Sequence, residues 1–171
     1  MWSAWCSGAQ PGQDHDMTFL GEAPEVSARF RPLSSVERPP VESPSWFVAP
    51  GSVTNGQYGL FRYEVKPLAG PQAHMHRTFS EAFYILDGTM RLFDGADWVD
   101  AIPGDYLYVP EGGIHAFRNE GDAVATMLIL FAPGIPRERF FTEIAQIHAS
   151  GRTLTDAEWT EFYARHDQYM V

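Results

Sequence analysis

Residues 104–119 of this 171-residue chain read GDYLYVPEGGIHAFRN. Two short apolar and aromatic runs, Tyr106 to Val109 and His115 to Arg118, lie on either side of the turn signal Glu111-Gly112-Gly113. Short runs of this kind, bounded by glycine and proline, are typical of strands rather than helices. The segment therefore predicts two strands separated by a glycine-rich turn.

The same alternation of short strands and turns extends through the middle of the chain. Further β-type runs are Tyr58 to Val65, Ala82 to Leu86, Thr89 to Phe93, Trp98 to Ala101 and Val124 to Phe131. They are closed by Asp87-Gly88, Asp94-Gly95, Pro103-Gly104-Asp105 and Glu120-Gly121-Asp122. Evenly spaced short strands with Asp-Gly hairpin turns favour an antiparallel sandwich or barrel over alternating strands and helices. We predict an all-β domain.

The hydrophobic period changes after Pro133-Gly134. Behind Pro136, which suits the first turn of a helix, apolar side chains recur at helical spacing. These side chains are Phe140, Phe141, Ile144 and Ile147. Thr155 and Glu158 are three residues apart, as in a capping box, and predict the start of a second helix. We expect this short helical segment to pack on the β-domain.

The chain before the strands carries a different signal. Residues 22–50 are rich in proline, which forbids a helix and interrupts a sheet. Residues 1–16 are expected to be a loose extension. We predict an N-terminal extension and proline-rich arm over residues 1–44, a β-barrel over residues 45–133 and C-terminal helices over residues 134–171.

The composition limits the classes of partner. The net charge is −10 and Lys66 is the one lysine, so the chain would repel a phosphate backbone. The single cysteine, Cys6, excludes an intramolecular disulfide and a cysteine-rich zinc site, which is typical of a reducing compartment. No stretch approaches the roughly 20 apolar residues of a transmembrane helix. We expect a cytoplasmic protein that binds a small molecule and neither nucleic acid nor membrane.

Three histidines and one glutamate are candidates for a metal site. His74 and His76 are separated by one residue, so an extended backbone places both imidazoles on one face. Glu81 follows after a short loop, and His115 would come from a strand adjacent in space. This borderline ligand set suits iron, nickel, manganese, cobalt, copper or zinc better than magnesium or calcium. In a six-coordinate ion, four protein ligands leave two positions for water, dioxygen or substrate.

The spacing of these residues resembles the two motifs of the cupin superfamily. The first motif is matched by Gly70, His74, His76, Glu81 and Gly88, with a lead-in from Gly70 to His74 that is two residues shorter than the family pattern. The second is matched without deviation by Gly104, Pro110, Gly112, His115 and Asn119. The resemblance covers about residues 56–133. Gly88, Gly104, Pro110, Gly112 and Asn119 are interpreted as turn and packing residues.

The resemblance implies a jelly-roll β-barrel that holds one divalent metal ion inside through His74, His76, Glu81 and His115. It also implies a homodimer, with the proline-rich arm as a candidate for crossing to the neighbour. Alternation along the strands would turn Phe83, Ile85 and Phe117 inward, where they either line an apolar substrate pocket or simply fill the barrel. The other three histidines, His15, His148 and His166, have no partner at ligand spacing and are assigned no role.

Three functions are compatible with these residues. The segment from Ala132 to Phe141 resembles the region after the barrel in bacterial quercetinase-like monocupins, which favours a dioxygenase acting on an enolisable or aromatic molecule such as a flavonol or diketone. In that reaction Glu81 would be both a metal ligand and the catalytic base. The alternatives are a metal-dependent isomerase, cyclase or lyase without a redox step, and a non-catalytic small-molecule-binding protein.

Overall fold

The computed structural model describes residues 28–171, and the features below lie in residues 32–171, which pack as one compact unit. The extension predicted for residues 1–16, with Cys6 and His15, lies outside the described residues. Ten strands and two α-helices are present: β1 (Ser45–Ala49), β2 (Gly59–Val65), β3 (His74–Met75), β4 (Ser80–Asp87), β5 (Met90–Phe93), β6 (Trp98–Ala101), β7 (Tyr106–Val109), β8 (Ala116–Arg118), β9 (Ala125–Ala132), α1 (Glu138–Ala149), α2 (Asp156–Arg165) and β10 (Tyr169–Met170). Short 3-10 helices cover Leu33–Ser35 and Gly51–Val53.

The strands form two main antiparallel sheets. A five-stranded sheet has the order β1-β2-β9-β4-β7, and a three-stranded sheet has the order β6-β5-β8. Their apolar inner faces share one core, to which β4 contributes Phe83 and Ile85 and the smaller sheet contributes Leu92 and Phe117. The prediction of an all-β jelly roll followed by a short helical segment is confirmed. Within the described residues the hydrogen bonding does not close the two sheets into a continuous barrel.

The inward face of β4 follows from its alternation. Glu81, Phe83 and Ile85 are at most 5% exposed, whereas Tyr84 and Leu86 are 42% and 40% exposed. Successive side chains of a strand point to opposite faces, so a single register decides which of them enter the core. The same register places the Glu81 carboxylate inside the jelly roll.

The two Asp-Gly signals have different roles. Asp94-Gly95 joins the paired strands β5 and β6, as a hairpin turn should. Asp87-Gly88 does not form a hairpin, because β4 pairs with β7 and β9 while β5 pairs with β6 and β8. The chain crosses at this turn from the larger sheet to the smaller one. Both kinds of connection need a left-handed residue, and glycine supplies it in either case.

Both predicted helices are present. Phe140 and Phe141 of α1 are buried in the core, as the helical spacing indicates. Pro136 lies one residue before the cap, Arg137, rather than in the first turn of α1. The capping box of α2 is complete, since Thr155 Oγ1 accepts from the Glu158 N–H and the Glu158 carboxylate accepts from the Thr155 N–H.

The chain ends in a strand that the sequence does not predict. After α2, β10 pairs antiparallel with β3, so Tyr169 lies opposite Met75 and Met170 lies opposite His74. No helix of the described residues is both long and apolar enough to cross a membrane. The proposed domain limits and the homodimer stay predictions.

Candidate metal centre

The two sequence motifs meet at the backbone of His74 and His115. The His74 N–H donates to the His115 oxygen at 3.0 Å, and the His115 N–H donates to the His74 oxygen at 2.9 Å. This isolated antiparallel bridge joins β3 to the start of β8. It brings into contact two histidines that the sequence separates by four strands.

The four predicted ligand residues form one cluster. The ligating atoms that His74, His76, Glu81 and His115 can offer all lie within 4.8 Å of one another. The residues are 4%, 2%, 5% and 0% exposed, respectively. Glu81 enters from β4, where it lies opposite Val109 of β7 and Phe131 of β9.

Each imidazole is oriented by a hydrogen bond from its Nδ1 atom to a backbone oxygen. The partner of His74 is Gln72 at 2.8 Å, that of His115 is Gly113 at 3.0 Å, and that of His76 is Asp167 at 2.6 Å. A carbonyl can only accept, so each Nδ1 is the donor. In a neutral ring this leaves the lone pair on Nε2, which is the arrangement found around metal-binding histidines.

The Nε2 atoms of two rings face the same carboxylate oxygen. Glu81 Oε2 lies 2.8 Å from His115 Nε2 and 3.2 Å from His76 Nε2. The contact with His76 lacks hydrogen-bond geometry, and His76 Nε2 is buried without a hydrogen-bond partner among residues 28–171. Lone pairs that face one another in a buried site repel unless a proton or a cation lies between them. The residues therefore fit a divalent metal ion.

The protonation of the cluster follows from its burial and its hydrogen bonds. Burial by itself raises the pKa of Glu81, but the hydrogen bond from His115 and the close contact with His76 outweigh it and hold that pKa well below its usual range. Burial lowers the pKa of His115, whereas the hydrogen bond and the charge of Glu81 raise it, and the net pKa lies above the usual value. His115 thus carries a proton, hydrogen-bonded to Glu81, that a metal ion would replace.

His74 differs from His115. Burial, followed by the positive charge of His115, lowers the pKa of His74 to about 3. His74 is therefore neutral near pH 7, which a metal ligand requires because only the neutral ring offers a lone pair.

Aromatic rings surround the cluster. Phe79 stacks on His76, with ring centroids 4.2 Å apart and an interplanar angle of 23°. Phe83 lies 5.7 Å from the His115 ring and 5.5 Å from the Phe117 ring. The structure therefore brings Phe83 beside the cluster and Phe117 next to Phe83, and it buries Ile85 in the shared core.

Three residues near the site were not singled out from the sequence. Asp167 contacts His76, as described above, and Arg137 is buried beside the Phe79 and Phe140 rings. Tyr63 packs on Phe117, and burial raises the pKa of Tyr63 to about 12. Asp167 and Arg137 lie in the C-terminal region and share no motif with the ligands, so no local signal marks them. Tyr63 could have been identified from the alternation of β2, since it falls on the inward face with Phe61 and Val65.

Two of the histidines without an assigned role, His148 and His166, lie among the described residues and away from the cluster. His148 packs near Trp159, with ring centroids 6.4 Å apart, and His166 Nε2 lies 3.3 Å from the Glu143 carboxylate. Neither belongs to the group of convergent ligand atoms.

Comparison with known proteins identifies the family of the β-domain. The family described as "Cupin domain" matches residues 61–131, which include all four clustered side chains. Residues 61–131 form a cupin domain. The two sheets of this cupin domain and its inward-facing histidines agree with the resemblance carried by the sequence motifs.

The cupin domain is also similar to a known enzyme. The chain is 29% identical over 93 residues to quercetin 2,3-dioxygenase from Bacillus subtilis (strain 168). The match covers 52% of this chain and 26% of that enzyme, so the chain spans about a quarter of the length of the relative.

Solved structures share the fold. The polyketide cyclase RemF from Streptomyces resistomycificus aligns with a TM-score of 0.52 at 18% identity, over 62% of this chain and 80% of that one. A predicted oxalate decarboxylase from Thermotoga maritima aligns with a TM-score of 0.50 at 20% identity, over 52% of this chain and 78% of that one. At these identities the likeness concerns the fold alone.

Proposed function

We propose that this cupin is a metal-dependent enzyme in which His74, His76, Glu81 and His115 hold one divalent transition metal ion. The observation that carries the proposal is the convergence of four buried ligand atoms within 4.8 Å of one another. Three imidazoles and one carboxylate favour iron, nickel, manganese, cobalt, copper or zinc. The Nδ1 bonds support the same role, because each ring already presents Nε2 to the centre.

The reaction we propose is the dioxygenation of a small enolisable or aromatic molecule, such as a flavonol or a 1,3-diketone. The similarity to quercetin 2,3-dioxygenase supports this reaction class. The aromatic rings of Phe79 and Phe83 beside the histidines support an apolar, planar substrate. A bound divalent ion would supply Lewis acidity, which lowers the pKa of a substrate hydroxyl.

The side chains of the site have separate roles in this proposal. Glu81 acts as the base, since a carboxylate beside a bound enol or phenol is placed to accept its proton. Phe83 and Phe117 exclude water from the site and contact the rings of the substrate. Ile85 is buried in the same core as Phe83.

Oxygen consumption by metal-loaded protein tests the proposed reaction. The protein is stripped with a chelator, reloaded with one metal at a time, and assayed with flavonols and 1,3-diketones in air and under nitrogen. We expect oxygen uptake that depends on both metal and substrate and stops under nitrogen. Product formation at the same rate under nitrogen would instead identify an isomerase, cyclase or lyase. Binding of the substrates without turnover in either atmosphere would identify a non-catalytic binding protein.

A further inference from the structure

The three histidines differ in the sequence separation between each ring and the backbone oxygen that orients it. His74 and His115 each use a backbone oxygen two residues earlier in the chain, on Gln72 and Gly113. For His76 the equivalent oxygen belongs to His74, and it is already bonded to the N–H of His115. His76 instead uses the oxygen of Asp167, 91 residues further along the chain. One of the three imidazoles therefore depends on a segment outside the matched cupin domain.

The Asp167 side chain is hydrogen-bonded to the loop that follows His76. Its Oδ2 atom accepts from the N–H of Arg77 at 3.0 Å, from the N–H of Thr78 at 2.8 Å and from Thr78 Oγ1 at 2.7 Å. The φ angle of Asp167 is +52°, in the left-handed region that aspartate and asparagine tolerate better than most residues. One residue thus holds the loop with its carboxylate and the His76 ring with its backbone oxygen.

A buried guanidinium holds the residues on both sides of Asp167. Arg137 Nη1 donates to the oxygen of His166 at 2.9 Å, and Arg137 Nη2 donates to Gln168 Oε1 at 2.7 Å. Arg137 is 4% exposed. Breaking either hydrogen bond would leave a further buried donor of the cation unsatisfied, since Arg137 Nε already has no hydrogen-bond partner among residues 28–171. The two bonds therefore fix the chain at residues 166 and 168.

The C-terminal segment, residues 166–171, also pairs with the strand that contains His74. Strand β10 pairs with β3, and the N–H of Val171 donates to the oxygen of Ala73 at 3.1 Å. The Arg77 guanidinium lies 3.9 Å from the centroid of the Tyr169 ring. Residues 166–171 therefore contact the first histidine motif on both sides of His76.

We propose that Asp167 is a positioning residue for His76, and that docking of residues 166–171 is coupled to metal binding. The inference rests on the metal-binding part of the proposed function and is independent of the reaction catalysed. By linkage, if the docked segment raises metal affinity, metal binding stabilises the docked segment to the same extent. Loss of a hydrogen-bond partner behind a metal ligand typically weakens metal binding about 10- to 100-fold.

The test compares Asp167→Ala with Asp167→Asn. Alanine removes the three carboxylate contacts and disfavours the left-handed backbone, whereas asparagine keeps an acceptor oxygen and tolerates that backbone. Asp105→Ala is the matched control, because Asp105 also accepts a backbone N–H through Oδ2, from Ile102 at 2.9 Å, and it lies on the loop between β6 and β7. Circular dichroism and thermal unfolding of each full-length variant establish that it is folded.

The first measurement needs no metal. Nitrogen-15 NMR of the imidazoles in chelator-treated protein reports which ring nitrogen carries the proton. We expect Asp167→Ala to change the ring signals of His76 and to leave those of His74 largely unchanged, while Asp167→Asn and Asp105→Ala resemble the wild type. Equal changes at all the clustered histidines would show a general structural effect and overturn the positioning role. An unchanged His76 in a folded Asp167→Ala protein would overturn it as well.

The second measurement uses Co²⁺ as the probe. We expect Asp167→Ala to bind Co²⁺ about 10- to 100-fold more weakly, with altered visible absorption of the bound ion, and Asp167→Asn to restore most of the affinity. In the wild type, Co²⁺ should slow amide exchange at Val171. Wild-type affinity in Asp167→Ala, or exchange at Val171 that Co²⁺ leaves unchanged, would overturn the coupling. Co²⁺ binding without oxygen uptake would reject the dioxygenase reaction and leave this inference standing.

Discussion

The main chains of His74 and His115 exchange two hydrogen bonds, at 3.0 Å and 2.9 Å, and these bonds are independent of the two side chains. The ring centroids of the two residues are consequently 4.3 Å apart. The bridge fixes one edge of the candidate metal centre through the main chain, so the distance between these two ligands does not depend on side-chain packing alone. Substitution of a ligand side chain should therefore remove metal binding without separating the two motifs.

Metal binding should stabilise the protein, and His115→Ala should abolish that effect. A ligand that binds only the folded state adds about 2.7 kcal/mol to the free energy of unfolding when its free concentration is 100 times Kd. We expect Co²⁺ or Ni²⁺ to raise the Tm of the wild type and to leave the Tm of His115→Ala unchanged. Differential scanning fluorimetry checks this, with His148→Ala as a control outside the cluster. An equal rise in Tm for His115→Ala would place the metal elsewhere.

The stabilisation by metal should increase as the pH rises. The pKa of His115 is raised in the folded protein. The stability that protonated His115 contributes to the metal-free protein is therefore fully present below pH 6.5, the pKa of His115 in the unfolded state, and is lost as the pH rises through the pKa of the folded state. Glu81 has the opposite sign: its contribution is present above its unfolded value of 4.5 and is lost as the pH falls through its lowered pKa.

The proton that His115 donates to Glu81 therefore competes with the metal ion until His115 titrates. We expect metal affinity to increase with pH above 6.5 and binding to release about one proton per ion near the lower end of that range. Isothermal titration calorimetry in buffers of different ionisation enthalpy measures the released proton. Metal affinity that stays constant from pH 6.5 to the raised pKa of His115 would contradict the assignment of this proton.

Glu81→Gln should separate folding from function. Glutamine keeps the size of the side chain but carries no charge, so the variant loses a metal ligand and the proton acceptor. We expect a folded protein whose metal affinity falls at least about tenfold and whose oxygen uptake is abolished. Elemental analysis and oxygen-electrode assays measure these two quantities. An active Glu81→Gln enzyme would exclude Glu81 as the base.

Gly70→Ala should destabilise the protein without touching a ligand. A Cβ atom at Gly70 would lie 2.0 Å from the backbone oxygen of Phe117, a contact that the main chain of β8 must move to avoid. Overpacking of this kind typically costs about 1–3 kcal/mol. Gly59→Ala is the matched control, because its Cβ would lie 3.5 Å from the Phe131 ring, an ordinary contact. Urea denaturation of both variants checks the difference, and equal stability of the two would contradict it.

Much of the cupin domain was predictable because its signals are local. The burial of Phe83 and Ile85 with Glu81 follows from the alternation of one strand, and the start of α2 follows from Thr155 and Glu158. The convergence of His115 with the other ligands was predicted through the spacing of two motifs that resemble the cupin pattern. That spacing is informative because glycine turns and short strands leave the backbone few alternative paths.

Other features depended on contacts that no local pattern records. The turn Asp87-Gly88 has the sequence of a hairpin but connects two different sheets, since the partners of β4 and β5 are chosen by packing of the whole core. Strand β10 is too short to produce a recognisable pattern and forms because β3 offers it an edge. Asp167 bears no spacing relationship to His76 at all.

The sequence by itself determined seven of the ten strands and both α-helices, because these follow from backbone periodicity and turn chemistry over a few residues. The convergence of the four ligand side chains was implied by the resemblance of the two motifs to the cupin pattern. The tertiary structure decided that the C-terminal segment, through Asp167 and Arg137, completes the surroundings of His76. Such a contact joins residues 91 positions apart. It exists only when the sheets and helices have packed, since a backbone oxygen has no residue-specific signal in the sequence.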